Sequence, residues 1–298
     1  MTPFCRIHED LDVTCAACRL WRAFAEQESS PPELLPEGKP WKVLQGDALA
    51  LLRLLPSGSV DAVITDPPYS SGGFTRGDRM GDTTKKYVRH DTKLVRPDFA
   101  GDNRDQRGFS YWCSLWRSEC LRVCKPGAPV CIFTDWRQLP TMTDAIQAGG
   151  WIWRGVVPWD KGPGVRPQMG RFASQAEYIV WGSAGPLPPR TDVGCLRGVF
   201  RQLVKDEERE LHITPKPVEL LEELVAICPP GGIVLDPFCG SGPTGVAALR
   251  RGRRFLGLEI QEGNVATASE RILADCSSST LEAALAGQAP LFPTEKRQ

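Results

Sequence analysis

The sequence predicts an α/β fold in which helices cover both faces of a central, mostly parallel β-sheet. Short apolar segments of strand length alternate along the chain with longer segments of helical periodicity. Two of the strand-like segments end in an aspartate that is followed by a Pro-rich or a Gly-rich turn. The 298 residues, of which 41% are hydrophobic and 24% are charged, suffice for one large domain with a buried core.

The first predicted elements lie between residues 41 and 65. Residues 41–47 form a predicted strand that ends in a turn, and 48–55 a short helix. Residues 59–65 form a buried strand that runs directly into Asp66-Pro-Pro-Tyr69. Residues 70–110 are rich in Gly, Asp and Arg and lack periodicity, which predicts a long loop.

The alternation of helices and strands continues to residue 259. The first helix after the loop ends at a Lys-Pro-Gly turn, and a glycine-rich turn precedes the last helix of the pattern. The predicted helices are 111–124, 218–227 and one that ends at 251, and the predicted strands are 130–134, 232–236 and 254–259.

Composition divides the chain into three predicted parts. Residues 1–40 hold four Lys/Arg against seven Asp/Glu and end in a Pro-rich stretch, which predicts a small N-terminal appendage with a linker. Residues 41–275 form the main domain, and 276–298 a polar C-terminal tail. Because no signal peptide and no membrane-spanning apolar run is visible, we expect a cytoplasmic protein without a membrane partner.

Four potential metal ligands are clustered in the N-terminal appendage. Cys5, His8, Cys15 and Cys18 are the ligand types of a tetrahedral zinc site, so one structural zinc ion is a candidate here. The alternative is a chain end with ordinary cysteines, since the central spacing is short. The other cysteines are expected to be reduced thiols, because the total of eleven is odd and no signal peptide accompanies it.

The segment 236–245 has the pattern of a cofactor-binding turn. A strand ends at Asp236, and glycines at 240, 242 and 245 follow at the spacing of the dinucleotide-binding fingerprint. Glu259 lies near the position expected for a carboxylate that binds ribose hydroxyls. Alone, this pattern indicates only that an adenosine-containing cofactor is plausible, and a simple glycine-rich turn is the alternative.

The segment Asp66-Pro-Pro-Tyr69 has a chemistry that can be read from its residue types. Two prolines stiffen the loop, so the Asp66 carboxylate and the Pro67 carbonyl can be held as paired acceptors at the end of a strand. Paired acceptors suit an exocyclic amino group, which offers two N–H donors, and the Tyr69 ring offers a flat face on which a base can stack. A rigid surface turn is the alternative.

Together these motifs resemble the S-adenosylmethionine-dependent amino-group DNA methyltransferases, in the group whose catalytic motif precedes the cofactor motif. The resemblance covers residues 41–273 and includes the order and spacing of the motifs. Further segments that resemble the family are Gly46-Asp47, the turn at 119–127, Trp159-Asp-Lys161, Glu177 to Trp181 and His212-Ile-Thr-Pro-Lys-Pro217.

The resemblance implies a Rossmann-like methyltransferase domain and specific residue roles. Asp66, Pro67, Pro68 and Tyr69 would form the catalytic loop. The cofactor site would comprise Asp47, Asp66, Thr214, Lys216, Asp236, Phe238, Gly240, Gly242 and Glu259. Within it, Thr214 and Lys216 would meet the methionine end, Glu259 the ribose and Asp47 the adenine amine. Pro243 departs from the family pattern but is acceptable at the first position of a helix.

The implied activity is direct in-line transfer of a methyl group from S-adenosylmethionine to N6 of a flipped adenine in DNA. Asp66 and Pro67 would accept both N–H groups of the amine, which favours a pyramidal, more nucleophilic nitrogen. N4-cytosine methylation is the alternative, although family members of that specificity more often have Ser at the position of Asp66. C5-cytosine chemistry is disfavoured because the chain has no Pro-Cys dipeptide. A nicotinamide-dependent dehydrogenase and an inactive DNA-recognition protein are the distant alternatives.

The formal net charge of zero conceals two basic segments around the predicted site. Residues 70–125 hold twelve Lys/Arg against seven Asp/Glu, and residues 161–201 hold six against two. We therefore expect double-stranded DNA as partner, with target recognition by 161–205 and closure over the flipped base by 70–107. A homodimer, a cognate restriction enzyme and a prokaryotic or phage origin are further expectations from the resemblance.

Overall fold

The structure, a computed structural model, describes residues 34–35, 38–70, 104–162, 169–203 and 216–285. The strands are β1 Trp41–Gln45, β2 Ala62–Thr65, β3 Pro129–Thr134, β4 Ile152–Asp160, β5 Ala176–Ser183, β6 Phe200–Arg201, β7 Ile233–Asp236 and β8 Arg254–Glu259. The helices are α1 Ala48–Leu54, α2 Gln106–Val123, α3 Leu139–Ala148, α4 Val218–Val225, α5 Pro243–Arg250 and α6 Glu262–Leu285. The predicted α/β fold is confirmed.

Helix α2 begins five residues before its predicted start at 111. Asp105 caps the helix, because its Oδ1 atom accepts hydrogen bonds from the backbone N–H groups of Arg107 and Gly108 at 3.0 and 2.9 Å. The first turn is polar and contains a glycine, so apolar periodicity did not indicate it. The capping aspartate was the available signal.

Two helices were not predicted from the sequence. Helix α3 begins beside Pro140 and ends at Gly149-Gly150. Helix α6 follows β8 and continues to Leu285, so it passes the predicted domain boundary at residue 275 and occupies the first ten residues of the predicted tail. The part of the predicted tail that lies between 276 and 285 is therefore helical. No helix within the described ranges is long and apolar enough to cross a membrane.

The eight strands form one sheet in the order β1-β8-β7-β2-β3-β5-β4-β6. All neighbouring pairs are parallel except the two pairs that β5 makes, with β3 and with β4. Strand β5 is thus the one strand of this sheet that is antiparallel to the others. Its first residues lie at the edge of the sheet where the other strands end.

Helices cover both faces of the sheet. Helices α1, α2 and α3 pack on one face, and α4, α5 and α6 pack on the other. Alternate residues of β2 show this arrangement, because Val63 belongs to the first buried cluster whereas Ala62 and Ile64 belong to the second. The central strands are buried on both sides, which explains why they are continuously apolar in the sequence.

The chain changes direction across the sheet between β2 and β7. From β2 it continues through α2 to the neighbouring β3, whereas from β7 it continues through α5 to β8 on the opposite side. In open α/β sheets, ligands bind outside the carboxyl ends of the strands at such a switch point. Asp66 follows β2 and Asp236 ends β7, so both aspartates lie at this point.

Candidate active site

A cleft of about 400 Å³ opens at the carboxyl edge of the sheet. Residues that follow or end β1, β2, β3, β4, β7 and β8 line it, together with the beginning of β5. Its lining residues include Asp47, Asp66, Pro67, Pro68, Tyr69, Trp136, Lys161, Glu177, Lys216, Asp236, Phe238, Gly240 and Glu259. Both predicted motifs therefore open into one continuous space, whose volume suits a cofactor-sized ligand.

Asp236 is buried at the centre of this cleft. Its Oδ1 atom accepts hydrogen bonds from the Thr65 hydroxyl at 2.6 Å and from the Phe238 backbone N–H at 3.1 Å. Burial raises the pKa of the Asp236 carboxyl from 3.8 to about 6, although the hydrogen bonds from Thr65 and Thr244 act to lower it. The protein thus holds a carboxylate in an environment that disfavours its charge.

The Glu259 carboxylate accepts two backbone N–H groups, one of them from the glycine-rich turn. The N–H of Gly240 donates to Glu259 Oε2 at 3.0 Å, and the N–H of Gln261 donates to Oε1 at 2.9 Å. Gly242 caps α5 with a φ of 78°, and a Cβ atom there would lie 2.9 Å from the Cβ of Ala268 in α6. Gly242 does not line the cleft, so the structure gives it a packing position behind the turn.

Two more of the predicted cofactor residues, Asp47 and Phe238, line the cleft. Asp47 follows β1 and caps α1, with its Oδ1 atom 3.0 Å from the backbone nitrogen of Ala50. Phe238 packs against Trp112 and Trp116 with ring centroids 5.4 and 5.2 Å apart, which fixes its ring at the wall of the cleft. Thr214 lies outside the described residues.

Asp66 is held by two donors where it lines the cleft. The Lys216 ammonium lies 2.6 Å from Asp66 Oδ2, and the Tyr69 hydroxyl donates to Asp66 Oδ1 at 2.5 Å. Burial, together with the Asp66 and Glu177 carboxylates, raises the pKa of the Tyr69 hydroxyl well above its usual value of 10. The phenol therefore remains protonated and acts as a donor toward Asp66.

Lys216 lies between two carboxylates of the cleft. Its ammonium is 2.6 Å from Asp66 Oδ2 and 3.3 Å from Glu177 Oε2, and its role at the methionine end of the cofactor stays a prediction. The rings of Tyr69 and Phe133 have their centroids 5.5 and 5.3 Å from the ammonium. A buried ammonium needs anionic partners, and in this structure the two carboxylates provide them.

Sequence reasoning did not identify Glu177 and Lys161 as site residues. Lys161 follows β4, Glu177 is the second residue of β5, and Lys161 Nζ lies 2.9 Å from Glu177 Oε1. Burial acts to raise the pKa of Glu177, but Lys216 and Lys161 outweigh it and hold that pKa below its usual value. Glu177 lies at the site because β5 is antiparallel to its neighbours, and local sequence patterns do not predict the direction of a strand.

The described cysteines are free thiols without nucleophilic character near the cleft. Cys239 lies in the glycine-rich turn and is buried, and burial raises the pKa of its thiol well above the usual value. No group of three or more potential metal ligands occurs in the part of the chain that the structure describes. The candidate zinc ligands Cys5, His8, Cys15 and Cys18 lie outside that part, so the zinc site stays a prediction.

The sequence of this chain is similar to those of known DNA methylases. The model of the N6/N4 DNA methylase family matches residues 60–192 and 191–270. The type II methyltransferase M.HinfI of Haemophilus influenzae is 26% identical over 261 residues, which cover 77% of this chain and 67% of that protein.

Two solved structures share the fold. The crystal structure of the M1.HpyAVI–SAM complex has a TM-score of 0.56 at 22% identity and covers 78% of this chain and 98% of its own. The PvuII cytosine-N4-specific DNA methyltransferase has a TM-score of 0.59 at 16% identity and covers 86% of this chain and 98% of its own.

Proposed function

This chain belongs to the N6/N4 DNA methylase family, and from that premise we propose that it methylates the N6 amino group of adenine at specific sites in double-stranded DNA. The single observation that carries the proposal is the continuous cleft between Asp236 and Asp66. One end of this cleft has the residue types that bind an adenosine-containing cofactor. The other end has paired acceptors for an amine and an aromatic ring beside them.

The residues of the first end suit S-adenosylmethionine. Glu259 supplies a carboxylate toward ribose hydroxyls, Phe238 an apolar wall, and Asp47 an acceptor for an adenine amine, while Asp236 lies at the centre of the cleft. When bound, this cofactor supplies an electrophilic methyl group. Its positive sulfonium favours a cleft whose walls carry several carboxylates, as this one does.

The residues of the second end act on the amine. The Asp66 carboxylate accepts an N–H of the target amine and the Pro67 carbonyl accepts the other, which orients the nitrogen lone pair toward the cofactor end. Tyr69 stacks on the flipped base, and its hydroxyl bond to Asp66 fixes the position of both groups. Because the methylated nitrogen is strongly acidic, its proton leaves without a strong base in the cleft.

The choice of adenine depends on Asp66. Family members that act on N6 of adenine have Asp at this position, and those that act on N4 of cytosine more often have Ser. N4-cytosine methylation is the second candidate, because the family includes both activities and the fold is similar to that of the PvuII enzyme. A dehydrogenase does not account for Asp66 to Tyr69, and the family match is to DNA methylases.

The first prediction concerns the product. Purified protein incubated with DNA and isotopically labelled S-adenosylmethionine is expected to yield N6-methyldeoxyadenosine, measured by nucleoside mass spectrometry after digestion. Single-molecule sequencing of the same DNA should place the modified base in one sequence context. N4-methyldeoxycytidine as the product would favour the second candidate, and the absence of any methylated nucleoside would contradict both.

A second prediction concerns the rim of the catalytic end. Trp136 lines the cleft and is 52% exposed, and the Arg137 guanidinium lies 5.0 Å from its ring centroid. An exposed aromatic ring beside a cation is suited to stack on an unstacked base next to a phosphate. Trp136→Ala is therefore expected to raise the KM for DNA about tenfold to hundredfold with little change in cofactor affinity.

Trp153→Ala is the matched control for this prediction. Trp153 is 42% exposed near the beginning of β4, at the opposite edge of the sheet from the cleft. Steady-state kinetics with adenine at the target should show the raised KM for Trp136→Ala only. In a separate binding experiment, the fluorescence of 2-aminopurine in place of the target adenine should show weaker base flipping for that variant only. Equal KM values for the two variants would exclude a role of Trp136 in DNA binding.

The remaining expectations about partners stay predictions. The target-recognition segment 161–205 is described only in part, and 71–103 lies outside the described residues. Within the described part of 161–205, Met169, Phe172 and Leu203 expose large apolar side chains, which is compatible with a surface that meets another molecule. The homodimer and the cognate restriction enzyme stay predictions from the resemblance.

A further inference from the structure

Glu177 reaches the catalytic end of the cleft because β5 is antiparallel. The strand pairs Glu177 with Trp159 of β4 and the next residue, Tyr178, with Thr134 of β3. Thr134 ends β3, so the second residue of β5 lies at the same edge of the sheet as Asp66 at the end of β2. The side chain is 14% exposed and lines the cleft.

Glu177 forms the middle of a charge-balanced row of side chains. Its Oε1 atom lies 2.9 Å from the Lys161 ammonium, and its Oε2 atom lies 3.3 Å from the Lys216 ammonium. Lys216 in turn lies 2.6 Å from Asp66 Oδ2. The row therefore alternates cation, anion, cation and anion, and the Tyr69 hydroxyl lies 3.4 Å from Glu177 Oε2 as well.

This arrangement bears on the acceptor capacity of Asp66. The Lys216 side chain is only 5% exposed, so its ammonium has little access to water and depends on protein acceptors. With Glu177 present, the ammonium is divided between two carboxylates. Without the Glu177 charge, both lysines would have Asp66 as their nearest anion in this row, and the Asp66 oxygens would be engaged more strongly by ammonium donors.

We infer that Glu177 is a positioning residue for methyl transfer, which shares the Lys216 ammonium so that Asp66 keeps its orientation and an oxygen lone pair available to accept the N–H of the target amine. The inference rests on the proposed function. It assigns Glu177 no contact with the reacting atoms, because its effect passes through Lys216 and Tyr69. Lys161 is the second counter-ion of Glu177 and pairs with its other carboxylate oxygen.

The electrostatics of the row predict a change in pH dependence. Burial acts to lower the pKa of Lys216, but Asp66 and Glu177 outweigh it and raise that pKa above 10.5. The charged and titratable groups that face Lys216 are Asp66 and Tyr69 after β2, and Glu177 on β5 with Lys161 behind it. Loss of the Glu177 charge should therefore lower the Lys216 pKa. Because Lys216 holds the orientation of Asp66 only while it is protonated, activity should decline at a lower alkaline pH than in the wild type.

The experiment compares Glu177→Gln and Glu177→Asp with Glu119→Gln in the full chain. Glu119 is a partly exposed glutamate that pairs with Arg122 on α2, so it is the matched control for loss of a paired carboxylate. Single-turnover methylation is expected to slow about tenfold to hundredfold in Glu177→Gln, with KM for DNA within about twofold of wild type. Glu177→Asp should recover part of the rate, and Glu119→Gln should match wild type.

A second measurement does not depend on catalysis. Competitive labelling of lysine amines, read by mass spectrometry at fixed pH, reports the unprotonated fraction of each side chain. Lys216 is expected to react several-fold faster in Glu177→Gln than in wild type, while Lys125, which pairs with Asp61, serves as the internal reference. Thermal unfolding of each variant verifies that the fold is retained.

Each outcome decides between the inference and its premise. Unchanged Lys216 labelling in Glu177→Gln overturns the inference whatever the methylation rate is. Changed labelling with a wild-type methylation rate overturns the positioning role alone. If the wild-type protein methylates no DNA, the proposed function fails and the positioning role fails with it. If wild type and Glu177→Gln methylate DNA at the same rate, only the positioning role fails.

Discussion

Replacement of Asp66 by asparagine is expected to slow methylation at saturating cofactor about a thousandfold while the fold is retained. The carboxylate is the preorganised acceptor for the target amine, and loss of one such group typically costs 10² to 10³ in rate. Asparagine has nearly the same shape, but its amide nitrogen is a donor and its oxygen carries no full charge. Lys216 keeps Glu177 as an anionic partner, so the variant does not leave a buried ammonium unpaired.

Asp61→Asn is the matched control for this prediction. Asp61 precedes the same strand at its other end, where it pairs with Lys125 at 2.7 Å and accepts the backbone N–H of Ile233 at 2.8 Å. Single-turnover kinetics at saturating cofactor should show wild-type rates for Asp61→Asn, and isothermal titration of the three proteins separates any loss of cofactor binding from the loss of rate. An Asp66→Asn variant that retains more than a tenth of the wild-type rate would contradict the catalytic role.

The parts of the fold that could be predicted are those whose signals are local. The strands that end at Thr65, Asp236 and Glu259 are apolar segments, each followed by a turn. Their alternation with helical segments along the chain predicted a parallel sheet. The carboxyl ends of parallel strands meet at one edge of a sheet, which explains why Asp66 and Asp236 lie close together. Both aspartates line one cleft.

The parts that could not be predicted depend on contacts between distant segments. The direction of β5 is set by its pairing with β3 and β4, and it alone decides that Glu177 lies at the site and not at the opposite edge. The place of Lys216 depends on two carboxylates that are 150 and 39 positions away in the chain. Such contacts leave no periodic pattern in the sequence.

Asp236→Asn is expected to stabilise the free protein at neutral pH and to weaken cofactor binding about tenfold to hundredfold. Burial raises the pKa of this carboxyl from 3.8 to about 6, so the folded state binds its proton more tightly than the unfolded state does. Stability of the wild type therefore falls as pH rises from about 4 to about 6. Above that range, the buried charge lowers the free energy of unfolding of the wild type by its full amount, up to about 3 kcal/mol.

Asparagine is uncharged at every pH and can still accept hydrogen bonds from the Thr65 hydroxyl and the Phe238 N–H. Urea unfolding without cofactor should thus show no advantage of Asp236→Asn near pH 4 and a growing advantage up to about pH 6. Asp160→Asn is the control of opposite sign, because the Gly162 N–H and Arg201 lower the pKa of Asp160 and its neutralisation should bring no gain. A gain for Asp236→Asn that is equal at pH 4 and pH 8 would show that packing, and not the buried charge, is its cause. A pH-dependent gain together with weaker cofactor binding would show that this carboxylate is kept for its function at the expense of stability.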